Sequence, residues 1–154
     1  MYEHILAATD GTELGMLAVN HAADLADSIG ASLTLVSVTV QRPEIVGLAR
    51  GTSPPSVFDD IRRANTERSL TILREAQASL KRQAAVVEIE AESAYKCILE
   101  VAANQGVDLI VLGSHGHRTI DRILLGSQAS KVLTLATVPV LIVKRRGKIS
   151  PAME

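Results

Sequence analysis

Short apolar runs rich in β-branched residues alternate along the chain with longer stretches whose apolar positions recur at helical spacing. The first run, residues 4–9, breaks at Asp10 and Gly11 and predicts a strand. Leu14, Leu17, Ala18, His21, Ala22, Leu25 and Ile29 then mark the inner face of a helix that Gly30 stops. Two caps fit its start: Asp10, with Glu13 three residues on as a capping box, or Thr12. A second strand is expected over 32–38, then a long charged helix over 57–82 with Leu70, Leu73, Ala76 and Leu80 on one face. A third strand over 85–91 and a helix over 94–105 follow. Residues 108–112 read as a fourth strand running straight into Gly113, Ser114, His115 and Gly116. A last helix begins near Ser127, with Ala129, Val132, Leu133 and Ala136 inward, and the fifth strand covers 138–143.

Five strands alternating with four helices specify an α/β domain, an open five-stranded parallel sheet with helices on both faces. Strands as apolar as 109–112 fit burial on both sides. The expected domain spans 1–146, with 147–154 as a C-terminal tail. Residues 41–56, with Pro43, Gly47, Gly51, Pro54 and Pro55, interrupt the alternation. A connection that long is either a lid over a site or a tolerated surface insertion.

Composition narrows the function classes. A length of 154 residues and 47% apolar content suit one domain with a substantial core and rule out a disordered chain. Sixteen Lys and Arg against seventeen Asp and Glu leave no basic surplus for nucleic acid, and 2% aromatic residues leave no stacking platform. The single cysteine, Cys97, cannot form an internal disulfide and falls on a helix pattern as a small buried or half-buried residue. The N-terminus lacks the basic start and apolar stretch of a signal peptide, and no apolar run reaches a membrane span. The expected location is the cytoplasm.

Candidate chemistry gathers at two strand ends. In an open parallel sheet, ligands bind beyond the carboxyl ends of the strands, where the strand order reverses. The first strand ends in Thr9, Asp10 and Gly11; the fourth ends in Gly113, Ser114, His115 and Gly116. Further on, Gly126 and Ser127 open the last helix. Glycines let backbone N–H groups approach an anion, and a helix start adds free N–H groups and a favourable dipole. The same residues also fit a plain turn at Gly113 and Gly116 and a plain helix cap at Ser127.

Gly113, two residues, Gly116, nine residues, then Gly126-Ser127 resembles the ATP-binding signature of the universal stress protein family. Residues 5–12, 107–116, 124–127 and 138–143 resemble its first strand and loop, fourth strand, phosphate loop and closing strand, so the likeness covers nearly the whole chain. The resemblance implies a Rossmann-like fold of the adenine nucleotide alpha hydrolase type, with ATP as ligand and Mg2+ accompanying it. It implies that Asp10 contacts the ribose hydroxyls, that the Val38 backbone meets the adenine, and that Gly113, Gly116, Gly126 and Ser127 hold the triphosphate. His117, where the family often carries a basic residue, and Ser130 are further candidates. It also implies a homodimer in which strands 138–143, opening at Val138, pair antiparallel; Pro139 near the strand start suits an edge. One departure is Glu92-Ser93-Ala94, where many ATP-binding members have Gly-x-Pro; Glu92 there would repel phosphate or reshape the rim.

Other signatures are missing. The chain has neither a Walker loop nor a dinucleotide fingerprint, and His115 with His117 lacks further metal ligands. Ser114 beside His115 makes no nucleophile pair, because triads meet in space rather than by adjacency. No catalytic residue is assigned. The expected function is nucleotide-dependent stress response or regulation, and the alternative is a slow ATPase or nucleotidyl-transfer enzyme on the same fold.

Overall fold

The computed structural model describes residues 1–40, 54–114 and 125–145. Its elements are β1 (His4–Ala8), α1 (Glu13–Ile29), β2 (Ser32–Val40), α2 (Pro55–Ser79), β3 (Ala85–Ala91), α3 (Ala94–Asn104), β4 (Leu109–Gly113), α4 (Ser127–Leu135) and β5 (Val140–Val143). The expected tail 147–154 and most of the 41–56 connection lie outside the described residues.

All strand pairs are parallel, in the order β3-β2-β1-β4-β5. The chain builds outward from β1 to β3, then crosses back to place β4 on the other side of β1. The order therefore reverses between β1 and β4, which opens a crevice at their carboxyl ends. Strand side chains alternate between two cores. Ile5, Ala7, Leu33, Leu35 and Val111 pack on one face against α1 and α2, through Ala18, Val19, Ala22, Leu73 and Ala76. Leu6, Val36, Ile110 and Leu112 pack on the other against α3 and α4, through Ile98, Val101, Ala129 and Val132.

The helix faces differ in detail from their periodicity. In α1 the fully buried stripe is Ala18, Val19, Ala22 and Ala26, whereas Leu14, Leu17, Leu25 and Ile29 are half-buried and His21 is exposed. Small residues let the helix lie close to the central strands, and the bulky ones are displaced to its flanks. In α4, Leu133 is 48% exposed while Val132 is fully buried. Gly30 ends α1 at φ +74°, donating its N–H to the Ala26 carbonyl, a left-handed cap that glycine adopts without strain.

Several boundaries also shift. Helix α2 starts with Pro55 in its first turn, where a missing N–H costs nothing, and stops at Ser79 rather than near Arg82. Arg82 instead reaches back to Asp27 Oδ1 and the Ala31 carbonyl, both at 2.8 Å. Strand β5 begins at Val140, after Pro139, whose carbonyl accepts the Ile110 N–H at 3.0 Å. No helix among the described residues is long and apolar enough to cross a membrane.

Candidate functional site

Beyond Ala8 the chain leaves the sheet, its last link being Thr9 N–H to the Val36 carbonyl at 3.0 Å. Gly11 sits at φ +78°, a turn that suits glycine, and its N–H donates to Thr9 Oγ1 at 3.2 Å. Of the two caps open from sequence, the structure uses Thr12. Its Oγ1 accepts the Gly15 N–H at 3.2 Å, and its proton goes to Asp10 Oδ1 at 2.5 Å. The Thr12 N–H donates to that same oxygen at 3.0 Å. Asp10 is thus positioned by the cap rather than being the cap.

Strand β4 delivers Gly113 and Ser114 to the neighbouring strand end, since Ala8 and Leu112 are paired in register. Gly113 does not have the positive φ that glycine permits. Its lack of a side chain answers a packing need: a Cβ there would stand 3.0 Å from both C and O of the Leu14 carbonyl. Ser114 is buried, and its carbonyl accepts the Gly126 N–H at 2.7 Å, so the end of β4 and the start of α4 are joined directly. Gly126 occupies the N-cap of α4 without a side-chain cap bond. Ser127 is the first helical residue, so the cap role that sequence left open for it falls to Gly126.

Val38 completes the crevice from β2. Backbone groups of alternate strand residues point the same way. The Val36 carbonyl points at Thr9, so the N–H and C=O of Val38 point to the same side, past the end of β1. They face the opening instead of a neighbouring strand.

These elements enclose a cavity of about 450 Å³, within the range of sites for small organic ligands. Asp10, Val38, Gly113, Gly126 and Ser127 all line it. Its α3 and α4 side is apolar, with Val36, Ile98, Leu112 and Val132. Among the described residues, Asp10 and Arg68 are its only charged lining side chains.

Other expected residues lie elsewhere. Ser130 is exposed one turn along α4 and does not line the cavity. Glu92 is exposed and also absent from the lining, although Ala94 two residues on belongs to it. Gly116 and His117 fall outside the described residues, as does His115. Cys97 is buried on α3, and burial pushes its thiol pKa up, with the Glu100 carboxylate adding to the rise. No group of three or more metal-ligating side chains occurs among the described residues.

Sequence reasoning missed one wall. Asn65, Arg68, Ser69 and Ile72 of α2 line the cavity opposite α4. The available signal was Ser69, a polar residue on the same helical face as Leu73 and Ala76.

Comparison with known proteins matches this fold and chain throughout. The sequence profile of the universal stress protein family matches residues 1–144. Universal stress protein A homolog 1 of Coxiella burnetii is 33% identical over 149 residues, covering 92% of this chain and 96% of that protein. The solved structure of MJ0577, a universal stress protein of Methanocaldococcus jannaschii, superposes with a TM-score of 0.80 at 25% identity, covering 96% of this chain and 99% of that one. A universal stress protein solved in complex with cAMP shares the fold at a TM-score of 0.66 and 24% identity, covering 92% of this chain and 97% of that one. The chain belongs to the universal stress protein family.

Proposed function

We propose that this chain binds ATP in the cavity at the β1–β4 strand-order reversal and acts as a nucleotide-dependent regulatory module. The observation that carries the reading is the meeting of Asp10, the outward backbone of Val38, Gly113, Gly126 and Ser127 around one cavity. These residues come from four separate parts of the sequence. Their chemistry suits the parts of a nucleotide. The Val38 N–H and C=O offer a donor and an acceptor to a base edge, and Asp10 offers a carboxylate to ribose hydroxyls. The Ser127 hydroxyl and the free N–H groups of the first turn of α4 suit phosphate oxygens, and Gly113 and Gly126, which have no side chains, leave room for them. Gly116 and His117 are assigned to the phosphates on the sequence resemblance alone. A Mg2+ ion would be held chiefly by phosphate oxygens, because Asp10 is the one carboxylate among the described lining residues.

Binding is favoured over turnover. Phosphoryl transfer needs positive charge on the transferring group and a group orienting the nucleophile. Arg68 is the single cation among the described lining residues. Any hydrolysis is expected below roughly 1 per second, the lower end of ordinary enzyme rates.

The reading extends to a homodimer through β5. This strand is a sheet edge, with Leu141 41% exposed, and an apolar edge of that kind is prone to association. A monomeric mass by light scattering at micromolar concentration overturns the dimer.

The ligand is tested by denaturing natively purified protein and identifying what is released, then titrating stripped protein with ATP by calorimetry. Adenine nucleotide in the released fraction and saturable ATP binding are expected. Absence of both, or binding unchanged by Asp10→Ala, overturns the assignment.

A further inference from the structure

The α2 wall of the cavity has no role in the binding scheme above, yet it carries a buried hydroxyl without a partner among the described residues and a half-buried amide. Ser69 is only 3% exposed, and its hydroxyl finds no partner among the described residues. A helical serine normally turns to the carbonyl four residues back. Here that carbonyl belongs to Asn65 and lies 3.4 Å from the Thr39 hydroxyl, whose proton also has Glu88 Oε1 within reach at 3.1 Å. Buried hydroxyls without partners are uncommon in folded proteins, and on a cavity wall the natural partner is a ligand atom. Asn65 itself stands one turn earlier on the same helix face and also lines the cavity. Its side-chain amide makes no hydrogen bond among the described residues. The Thr39 contact places it beside the end of β2, one residue along from Val38.

We propose that this wall reads the nucleobase, the Asn65 amide pairing with the 6-amino and N7 edge of adenine and the Ser69 hydroxyl supporting it. The inference rests on the nucleotide reading of the cavity and names what selects the base. An asparagine amide presents one acceptor and one donor group side by side. Adenine offers the complementary pair, an amino donor next to the N7 acceptor. Guanine offers two acceptors, O6 and N7, so the amide oxygen would face O6 without a proton between them. The wall therefore favours adenine over guanine nucleotides.

The experiment measures ATP and GTP affinities of full-length wild type, Asn65→Ala, Asn65→Asp and Ser69→Ala by calorimetry, with melting temperatures of the ligand-free proteins. Wild type should prefer ATP, and Asn65→Ala should lower the ATP-to-GTP affinity ratio by about 5- to 150-fold, mostly through ATP. Asn65→Asp keeps an acceptor for the 6-amino group but replaces the N7 donor with a second acceptor, so it should weaken ATP while still disfavouring GTP. Ser69→Ala should weaken ATP by about 2- to 10-fold while leaving the melting temperature equal or higher, since it removes an unsatisfied buried hydroxyl. An unchanged ratio in Asn65→Ala, or an unchanged ATP affinity in Asn65→Asp, overturns the base-reading role although ATP still binds. A lower melting temperature with unchanged ATP affinity makes Ser69 structural and overturns its part. If wild type binds neither nucleotide, the nucleotide reading of the cavity fails, and this inference falls with it.

Discussion

The Thr12 hydroxyl donates its proton to Asp10 Oδ1 while its oxygen accepts the Gly15 N–H. One side chain thereby starts α1 and, together with the Thr12 N–H, helps to hold a carboxylate at the cavity. Both jobs need a hydroxyl, and neither needs the γ-methyl.

Thr12→Val should accordingly lose stability and affinity together. Loss of the N-cap bond costs about 0.5–2 kcal/mol, read as a lower urea midpoint. ATP affinity should fall in the same variant because Asp10 loses an anchor. Thr12→Ser should restore both. A variant that loses stability while keeping full affinity would show that Asp10 does not depend on this bond.

Ser127→Ala separates phosphate contact from helix capping. Gly126 holds the N-cap, so the substitution should change stability by no more than about 0.5 kcal/mol. ATP affinity should fall roughly 10- to 100-fold, the size expected for one lost hydrogen bond to a charged oxygen. Adenosine, which has no phosphate, should bind wild type and variant alike. Equal ATP affinity in the two proteins removes Ser127 from the phosphate site.

Gly113→Ala tests close packing instead of backbone freedom. The new Cβ would press on the Leu14 carbonyl at 3.0 Å and on Gly15 N at 3.3 Å. The first turn of α1 must yield, at a cost of about 1–3 kcal/mol for overpacking. Since Asp10 is held by that turn, ATP affinity should drop in step with the melting temperature. An unperturbed melting temperature contradicts the contact.

Asp108 gives a pH signature at the opposite end of the sheet. The Glu3 N–H, at 2.8 Å, is the main influence holding its pKa below the usual carboxylate value; burial opposes it, and the His4 N–H at 3.1 Å assists. A carboxyl depressed in the folded state stabilises above its unfolded pKa, and that contribution fades as pH falls through the folded value. Wild type should therefore exceed Asp108→Asn in urea midpoint at neutral pH, with the gap closing in acid. A gap that is constant with pH excludes the ionised carboxylate as its source.

Much of this architecture was legible in the chain because strands buried on both faces are apolar without interruption, as at 109–112. The inner face of α1 was legible only in part, since Ala18 and Ala22 are fully buried while Leu17, Leu25 and Ile29 only flank the core. Hydrophobicity ranks Leu17 above Ala18, but the distance between helix and sheet selects the smaller residue for the stripe. Gly113 stood out as a special position, yet its reason is the nearby Leu14 carbonyl, a contact made across almost a hundred residues of sequence. Asn65 and Ser69 were hidden for a different cause. On a helix rich in charges, polar residues read as solvated, and only the shortness of β1 leaves part of the α2 inner face overhanging a cavity.

That same shortness bears on how the protein folds. Val38 is in place once β1, β2 and β3 have paired, but Gly113 arrives only when β4 docks against β1 from far along the chain. Pairings of such long range form late and slowly. A ligand that touches both strands recognises the completed sheet and little that precedes it. It should therefore act as a brake on unfolding, leaving the folding rate nearly unchanged.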